Sequence, residues 1–134
     1  MNGPEDLWRA ALAARAKAHV PFSGFRVGVA LRTVSGRIHV GANMENQSYP
    51  EGWCAETTAI AHMVMAAEAE DDRLIAALVV AAEHSPPITP CGGCRQRLAE
   101  FGRPETMVHA ADLSGLRACW TLAELLPAAF RLED

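Results

Sequence analysis

Apolar positions recur along the chain in two rhythms, and the switches between them predict the order of elements. From Pro4 to Ala18, Leu7, Trp8, Ala11, Leu12 and Arg15 fall at helical spacing, with Pro4 near the start and Glu5 and Asp6 in the first turn. An amphipathic helix is predicted there. After Pro21-Phe22-Ser23-Gly24, two alternating runs, Phe25 to Thr33 and Arg37 to Met44, flank the turn residues Ser35-Gly36 and read as a β-hairpin. A polar loop, Glu45 to Trp53, leads into Cys54 to Ala69, which is rich in Ala and Met, lacks Gly and Pro, and predicts a second helix.

The run Leu74 to Ala82 is almost continuously apolar, as expected of a strand buried on both faces. Pro86, Pro87 and Pro90 break the chain before a short helix, Cys91 to Phe101, which Gly102 and Pro104 close. Thr106 to Ala111 and Leu116 to Thr121 read as strands, and Leu122 to Phe130 as a closing helix. Helices alternate with strands, so the expected fold class is α/β, layered about a central mixed sheet of five strands. At 134 residues and 50% hydrophobic composition, residues 1–134 are expected to form a single domain with its own core.

Charge narrows the function. Twelve Lys and Arg against 16 Asp and Glu give a net charge of -4, a poor footprint for a protein that grips a phosphate backbone, so no nucleic-acid partner is expected. No stretch approaches the roughly 18 apolar residues that span a bilayer, and the opening residues lack a secretory pattern, so a cytoplasmic protein without a membrane partner is expected. Its four cysteines are then expected to be reduced.

Their spacing suggests chemistry. Cys54-Ala55-Glu56 opens one predicted helix and Pro90-Cys91-Gly92-Gly93-Cys94 opens another. Unpaired N–H groups and the positive dipole end at a helix start favour the thiolate that a metal needs. Zinc takes tetrahedral sites, and a catalytic zinc keeps three protein ligands and one open position. Cys54, Cys91 and Cys94 match that count, with one zinc per subunit. A redox pair at Cys91 and Cys94 and a structural zinc completed by Cys119 or a histidine are the alternatives, but Cys119 is most simply a small buried hydrophobe. Glu56, two positions past a helix-opening Cys, can lie beside a metal without ligating it and move protons. Alone it would be a first-turn Glu complementing a dipole; with the downstream Pro-Cys-x-x-Cys it completes the zinc deaminase signature.

From these residues outward the chain resembles the small homotetrameric cytidine deaminases along nearly its whole length. Pro21 to Gly28 is similar to that family's hairpin entrance, Asn43-Met44-Glu45-Asn46 to its ribose-binding stretch, and Leu125 to Phe130 to its C-terminus. The resemblance implies a three-layer α/β/α fold, a homotetramer, and zinc-dependent deamination of cytidine or deoxycytidine to the uridine counterpart in pyrimidine salvage. It implies that Asn43 and Glu45 bond the ribose 3'-hydroxyl, that Phe25 packs near the base, and that Glu56 protonates ring nitrogen 3. By the same resemblance the Ala55 backbone contacts the pyrimidine, the Thr89 carbonyl accepts from the exocyclic amine, and Phe130 stacks in a neighbouring subunit's pocket.

Three positions depart from the family pattern. Thr57 stands where three-cysteine members usually carry Arg, which draws charge off the thiolates; here the two helix N-termini, Thr57 and Arg95 are expected to offset that charge. Gln47 replaces an Ala beside the substrate, with Tyr49 retained nearby, and Pro50-Glu51-Gly52-Trp53 is an unfamiliar approach to Cys54. A blasticidin S deaminase, which also resembles the chain at its zinc motifs, is the rival within the chemistry. A non-catalytic zinc-binding interaction protein and a nucleic-acid editing deaminase are rivals outside it.

Overall fold

All nine predicted helices and strands occur in the computed structural model, which describes residues 3–132, and the differences fall at element ends. In chain order these are α1 (Pro4–Arg15), β1 (Val27–Thr33), β2 (Ile38–Ala42), α2 (Ala55–Ala66), β3 (Ile75–Ala82), α3 (Gly92–Phe101), β4 (Met107–Ala111), β5 (Leu116–Thr121) and α4 (Leu122–Leu125). The strands form one five-stranded sheet in the order β2-β1-β3-β4-β5. β1 pairs antiparallel with both β2 and β3, β3 runs parallel to β4, and β5 returns antiparallel to β4.

Two antiparallel pairings through β1 leave β2 and β3 pointing the same way. The helices that follow them, α2 and α3, therefore both begin beyond the same edge of the sheet, outside the carboxyl ends of the strands, where open α/β sheets bind their ligands. This topology carries Cys54 and Cys91 to one place although 37 residues separate them.

The sheet is covered on both faces. Leu7 and Ala11 of α1 pack on Ala30, Val79, Ala81 and Ala111. On the other face Ala59, Ile60 and Met63 of α2, Leu98 of α3 and Leu122 and Leu125 of α4 pack on Val29, Leu31, Leu78, Val80 and Val108. β3 contributes to both cores, which accounts for its unbroken apolar run. The resulting layers are helix, sheet and helices. Gly41 is needed for the second of these: a Cβ there would overlap Ala59 N and Ala55 O, so α2 lies directly against β2.

Element ends were over-extended in the sequence reading. α1 stops at Arg15 instead of Ala18, because Lys17 N–H donates to Ala14 O and Ala18 N–H to Arg15 O, tightening the last turn. α2 stops at Ala66 instead of Ala69, because the Asp72 carboxylate accepts from the N–H groups of Glu68 and Ala69 at 2.9 and 3.1 Å and draws the chain into a 3-10 turn, Glu70–Arg73. The closing helix is a single turn rather than Leu122 to Phe130. Pro127 has no N–H to continue it, and Ala128 sits in the left-handed region at φ 53°. No helix is long and apolar enough to cross a membrane among the described residues.

Candidate active site

Cys54 and Cys91 are the N-cap residues of α2 and α3, both in extended backbone conformation, and Cys94 lies in the first turn of α3. Their sulfurs lie within 4.8 Å of one another, and Cys54 Sγ and Cys91 Sγ are 4.0 Å apart. Tetrahedral zinc with bonds of about 2.3 Å holds its sulfurs roughly 3.8 Å apart, so the Cys54–Cys91 pair is already close to that spacing and the whole cluster meets a zinc ion with at most about 1 Å of contraction. Cys54 and Cys91 are exposed and Cys94 is buried, which leaves one side of the cluster open. Among the described residues no fourth His, Cys, Asp or Glu joins the group. Cys119 stands apart on β5, 3.9 Å from His109 Nε2 of β4, which rules it out as a fourth ligand.

The three thiols share protons unevenly. Cys54 is lowered to about 6, chiefly because the Cys94 thiol donates to it, with the Cys91 thiol and the Arg97 charge adding to the effect. Cys94 is pushed up by serving as that donor, by burial, and by the carboxylate of Glu56. One thiolate thus forms at the expense of its neighbours; three form together only around a metal.

Glu56 is 5% exposed, beside the cluster in the first turn of α2. Burial raises its carboxyl, and negative charge on Cys54 raises it further. A carboxyl held away from water, with its affinity for a proton raised, suits proton transfer.

Charge near the thiolates comes from a residue other than the expected one. Arg95 donates Nε to Pro90 O at 2.8 Å, one Nη to Leu125 O at 2.8 Å and the other to Thr89 Oγ1 at 2.9 Å, so it braces the loop before α3 against α4. It is thereby turned from the sulfurs, and its expected share in charge offset is withdrawn. Arg97 Nη1 instead lies 3.7 Å from Cys94 Sγ, and Thr57 Oγ1 lies 3.9 Å from the same atom.

Cys54 also opens onto a cleft of about 500 Å³ walled by Phe22, Asn43, Glu45, Tyr49 and Trp53. Glu45 Oε1 accepts from the N–H groups of Phe22 and Ser23 at 2.9 and 3.1 Å, and its other oxygen accepts from the Ser23 hydroxyl. The hydroxyl bond, then those backbone bonds, hold the carboxyl below its usual range. Asn43 accepts from Val27 N–H at 3.0 Å and donates to Phe25 O at 2.9 Å. Both side chains therefore order the loop between α1 and β1 in addition to facing the cleft.

The remaining predicted residues are spread more widely. Ala55 is buried at the α2 start, and Thr89 lies in the loop before α3. Phe25 meets His84 edge-on at 6.1 Å. Gln47 is exposed and stands outside the cleft lining. Phe130 is 67% exposed, with its carbonyl accepting from Gln96 Nε2 at 3.3 Å, and lies outside its own chain's cleft. Sequence reasoning missed Phe22, Ser23 and Arg97. Only Arg97 left a signal, three residues after Cys94 and so on the same helix face.

Residues 1–110 match the family described as the cytidine and deoxycytidylate deaminase zinc-binding region. The chain is 42% identical over 128 residues to a cytidine deaminase of Halalkalibacterium halodurans, covering 96% of this chain and 94% of that one. It is 42% identical over 121 residues to one of Sporosarcina psychrophila, covering 90% and 86%. The crystal structure of a Burkholderia pseudomallei cytidine deaminase superposes with a TM-score of 0.84 at 41% identity, covering 93% of this chain and 97% of that one. With zinc-fitting thiols, a buried carboxyl and this likeness in agreement, the chain belongs to the cytidine and deoxycytidylate deaminase family.

Proposed function

We propose that the chain catalyses hydrolytic deamination of cytidine and deoxycytidine, releasing ammonia and leaving uridine or deoxyuridine. The observation that carries this reading is the placement of buried Glu56 beside three convergent thiols at the end of a cleft walled by Asn43 and Glu45. Cys54, Cys91 and Cys94 hold the zinc ion, which when bound supplies Lewis acidity and a place for the attacking water.

The protein's own groups do the rest. Glu56 takes one proton from the attacking water and delivers it to ring nitrogen 3, then takes that water's second proton and delivers it to the departing exocyclic nitrogen, which leaves as ammonia. Burial raises its carboxyl above the ordinary carboxylate range, which favours its holding a proton between the two transfers. The Ala55 backbone and the Thr89 carbonyl fix the base edge, the latter by accepting from the exocyclic amine. Phe25 packs against the base and Tyr49 lines the approach. Glu45 and Asn43 hold the ribose 3'-hydroxyl: a carboxylate kept ionised accepts from that hydroxyl, and the second hydrogen of the Asn43 amide donates to it. Gln47 belongs to the rim.

Phe130 is exposed and does not line its own chain's cleft, and we assign it to the pocket of a neighbouring subunit in a homotetramer. A cytoplasmic setting belongs to this reading and is supported by the chemistry of Cys54, Cys91 and Cys94, which must stay reduced to hold a metal. The Asn43 and Glu45 pair favours a ribose over the modified sugar of blasticidin S.

A panel of cytidine, deoxycytidine, 5-substituted analogues and blasticidin S, assayed with wild type and Glu56→Gln and with zinc content measured in parallel, tests the reading. Cytidine or deoxycytidine turnover by the wild type, lowered about 10²- to 10⁴-fold in Glu56→Gln with zinc retained, is the expected outcome. Zinc-replete protein that turns over neither nucleoside refutes it.

A further inference from the structure

Three thiolates around one divalent cation leave a net negative centre, and such a centre polarises its fourth ligand poorly unless positive charge stands close by. The α2 side offers only a neutral hydroxyl, Thr57 Oγ1, 3.9 Å from Cys94 Sγ. On the α3 side Arg97 Nη1 approaches the same sulfur at 3.7 Å. Its side chain is folded back along its own helix toward the N-terminus, and a Cβ placed on Gly93 would come within 3.2 Å of that nitrogen.

This placement runs against helix electrostatics. A guanidinium over a helix N-terminus faces the positive end of the dipole and is disfavoured there by about 0.3–1 kcal/mol at an exposed site. Arg97 is exposed, so an outward rotamer into water is open to it. An anion at that helix start removes the conflict, and thiolate charge at Cys54, Cys91 and Cys94 is such an anion.

We propose that Arg97 is a charge-balancing residue of the metal centre: its guanidinium donates to Cys94 Sγ and lowers the electron density that the three sulfurs give the metal. The α3 helix thereby takes over a task that neutral Thr57 on α2 cannot perform. Arg97 touches neither substrate nor the reacting atoms and acts through Cys94. The inference rests on the three cysteines being the metal ligands, though not on the identity of the nucleoside.

The test compares the holoenzyme with Arg97→Leu, Arg97→Lys and the double variant Thr57→Arg/Arg97→Leu. Zinc retention is measured by competition with a chelator, and the sulfur-to-metal charge-transfer band is recorded in protein loaded with Co2+ instead. Thermal unfolding of each variant verifies that the fold is intact, as expected for an exposed side chain. Arg97→Leu is expected to hold zinc about 10- to 100-fold more weakly and to move the cobalt band to lower energy, since sulfurs that lose a donor become easier to oxidise. Arg97→Lys should recover part of both effects, and the double variant most of them. An Arg97→Leu protein with unchanged zinc retention and band position overturns the proposal, as does a double variant that recovers neither. A wild-type protein that binds neither metal stoichiometrically overturns the ligand assignment and this inference with it. Failure to deaminate cytidine by zinc-loaded protein overturns the substrate reading alone.

Discussion

The two helix N-termini that meet at the cleft have the same backbone conformation at their caps and opposite surroundings. At the start of α2, Cys54 is followed by buried Ala55 and Glu56, and the helix is seated on Gly41 with Ala59, Ile60 and Met63 in the core. At the start of α3, Cys91 is followed by two exposed glycines, buried Cys94, and the polar run Arg95-Gln96-Arg97. The α2 start is dry and contributes the proton carrier. The α3 start is wet on one side, contributes two of the three sulfurs and brings the Arg97 guanidinium beside them. Proton transfer by a carboxyl requires removal from water to raise its pKa, whereas a cluster of sulfurs requires nearby charge to be tolerated, and one helix terminus serves each requirement.

The largest effects separate these duties. Cys94→Ala should abolish stoichiometric zinc and reduce deamination to background, because two exposed thiols remain where the cluster had three converging sulfurs. Glu56→Gln should keep its zinc and lower kcat by about 10²- to 10⁴-fold, the usual contribution of a positioned general acid and base. Zinc analysis alongside steady-state rates checks both. Loss of zinc from Glu56→Gln would break the division, since the carboxyl would then be supporting the metal.

Two glycines offer a sharper contrast at lower amplitude. A Cβ on Gly41 overlaps backbone atoms of Ala55 and Ala59, which cannot move without shifting the first turn of α2. A Cβ on Gly93 meets only the far end of the Arg97 side chain, at 3.2 and 3.9 Å. Gly41→Ala should therefore cost about 1–3 kcal/mol in urea unfolding and lower kcat by displacing Glu56. Gly93→Ala should stay within about 0.5 kcal/mol of wild type while weakening zinc retention by pushing the guanidinium away. Equal stability losses at the two sites would mean that α3 is seated as rigidly as α2.

These contrasts also mark what the sequence made legible. The two cysteine motifs were readable because their chemistry is local: each stands at a helix start that Pro90 or the polar loop before Cys54 announces. Their convergence followed from topology, with β2 and β3 parallel through a shared antiparallel neighbour. Spacing three residues past Cys94 favoured Arg97 over Arg95 as the cation facing the sulfurs, but what holds Arg95 away was unreadable, because its partners Thr89, Pro90 and Leu125 lie on a loop and on α4. Phe22 and Ser23 were unreadable as partners of Glu45 because the bonds join a loop to a distant turn. The closing helix ends at Leu125 although the apolar pattern runs on to Phe130, because Pro127 within that pattern is a stop.

The smallest expected effect concerns the seat of α2. His39 lies on β2 beside His62 of α2, and its Nε2 is buried without a hydrogen-bond partner among the described residues. Burial lowers its pKa, with His62 and Arg37 acting the same way and Asp72 opposing them. His109 on β4 is also lowered by burial, though Val79, its partner across the pairing, faces α1 rather than α2. For a histidine depressed on folding, the stabilising contribution is complete above the unfolded value of about 6.5 and is lost as pH falls through that value toward the folded one. Wild-type urea midpoints should accordingly fall between pH 7.5 and 5.5, and His39→Leu should show a smaller fall, with His109→Leu reducing it independently. If His39→Leu tracks wild type across that range while His109→Leu flattens it, the pH-sensitive seat lies on the α1 face. The α2 side of the comparison would then owe none of its sensitivity to mild acid to His39.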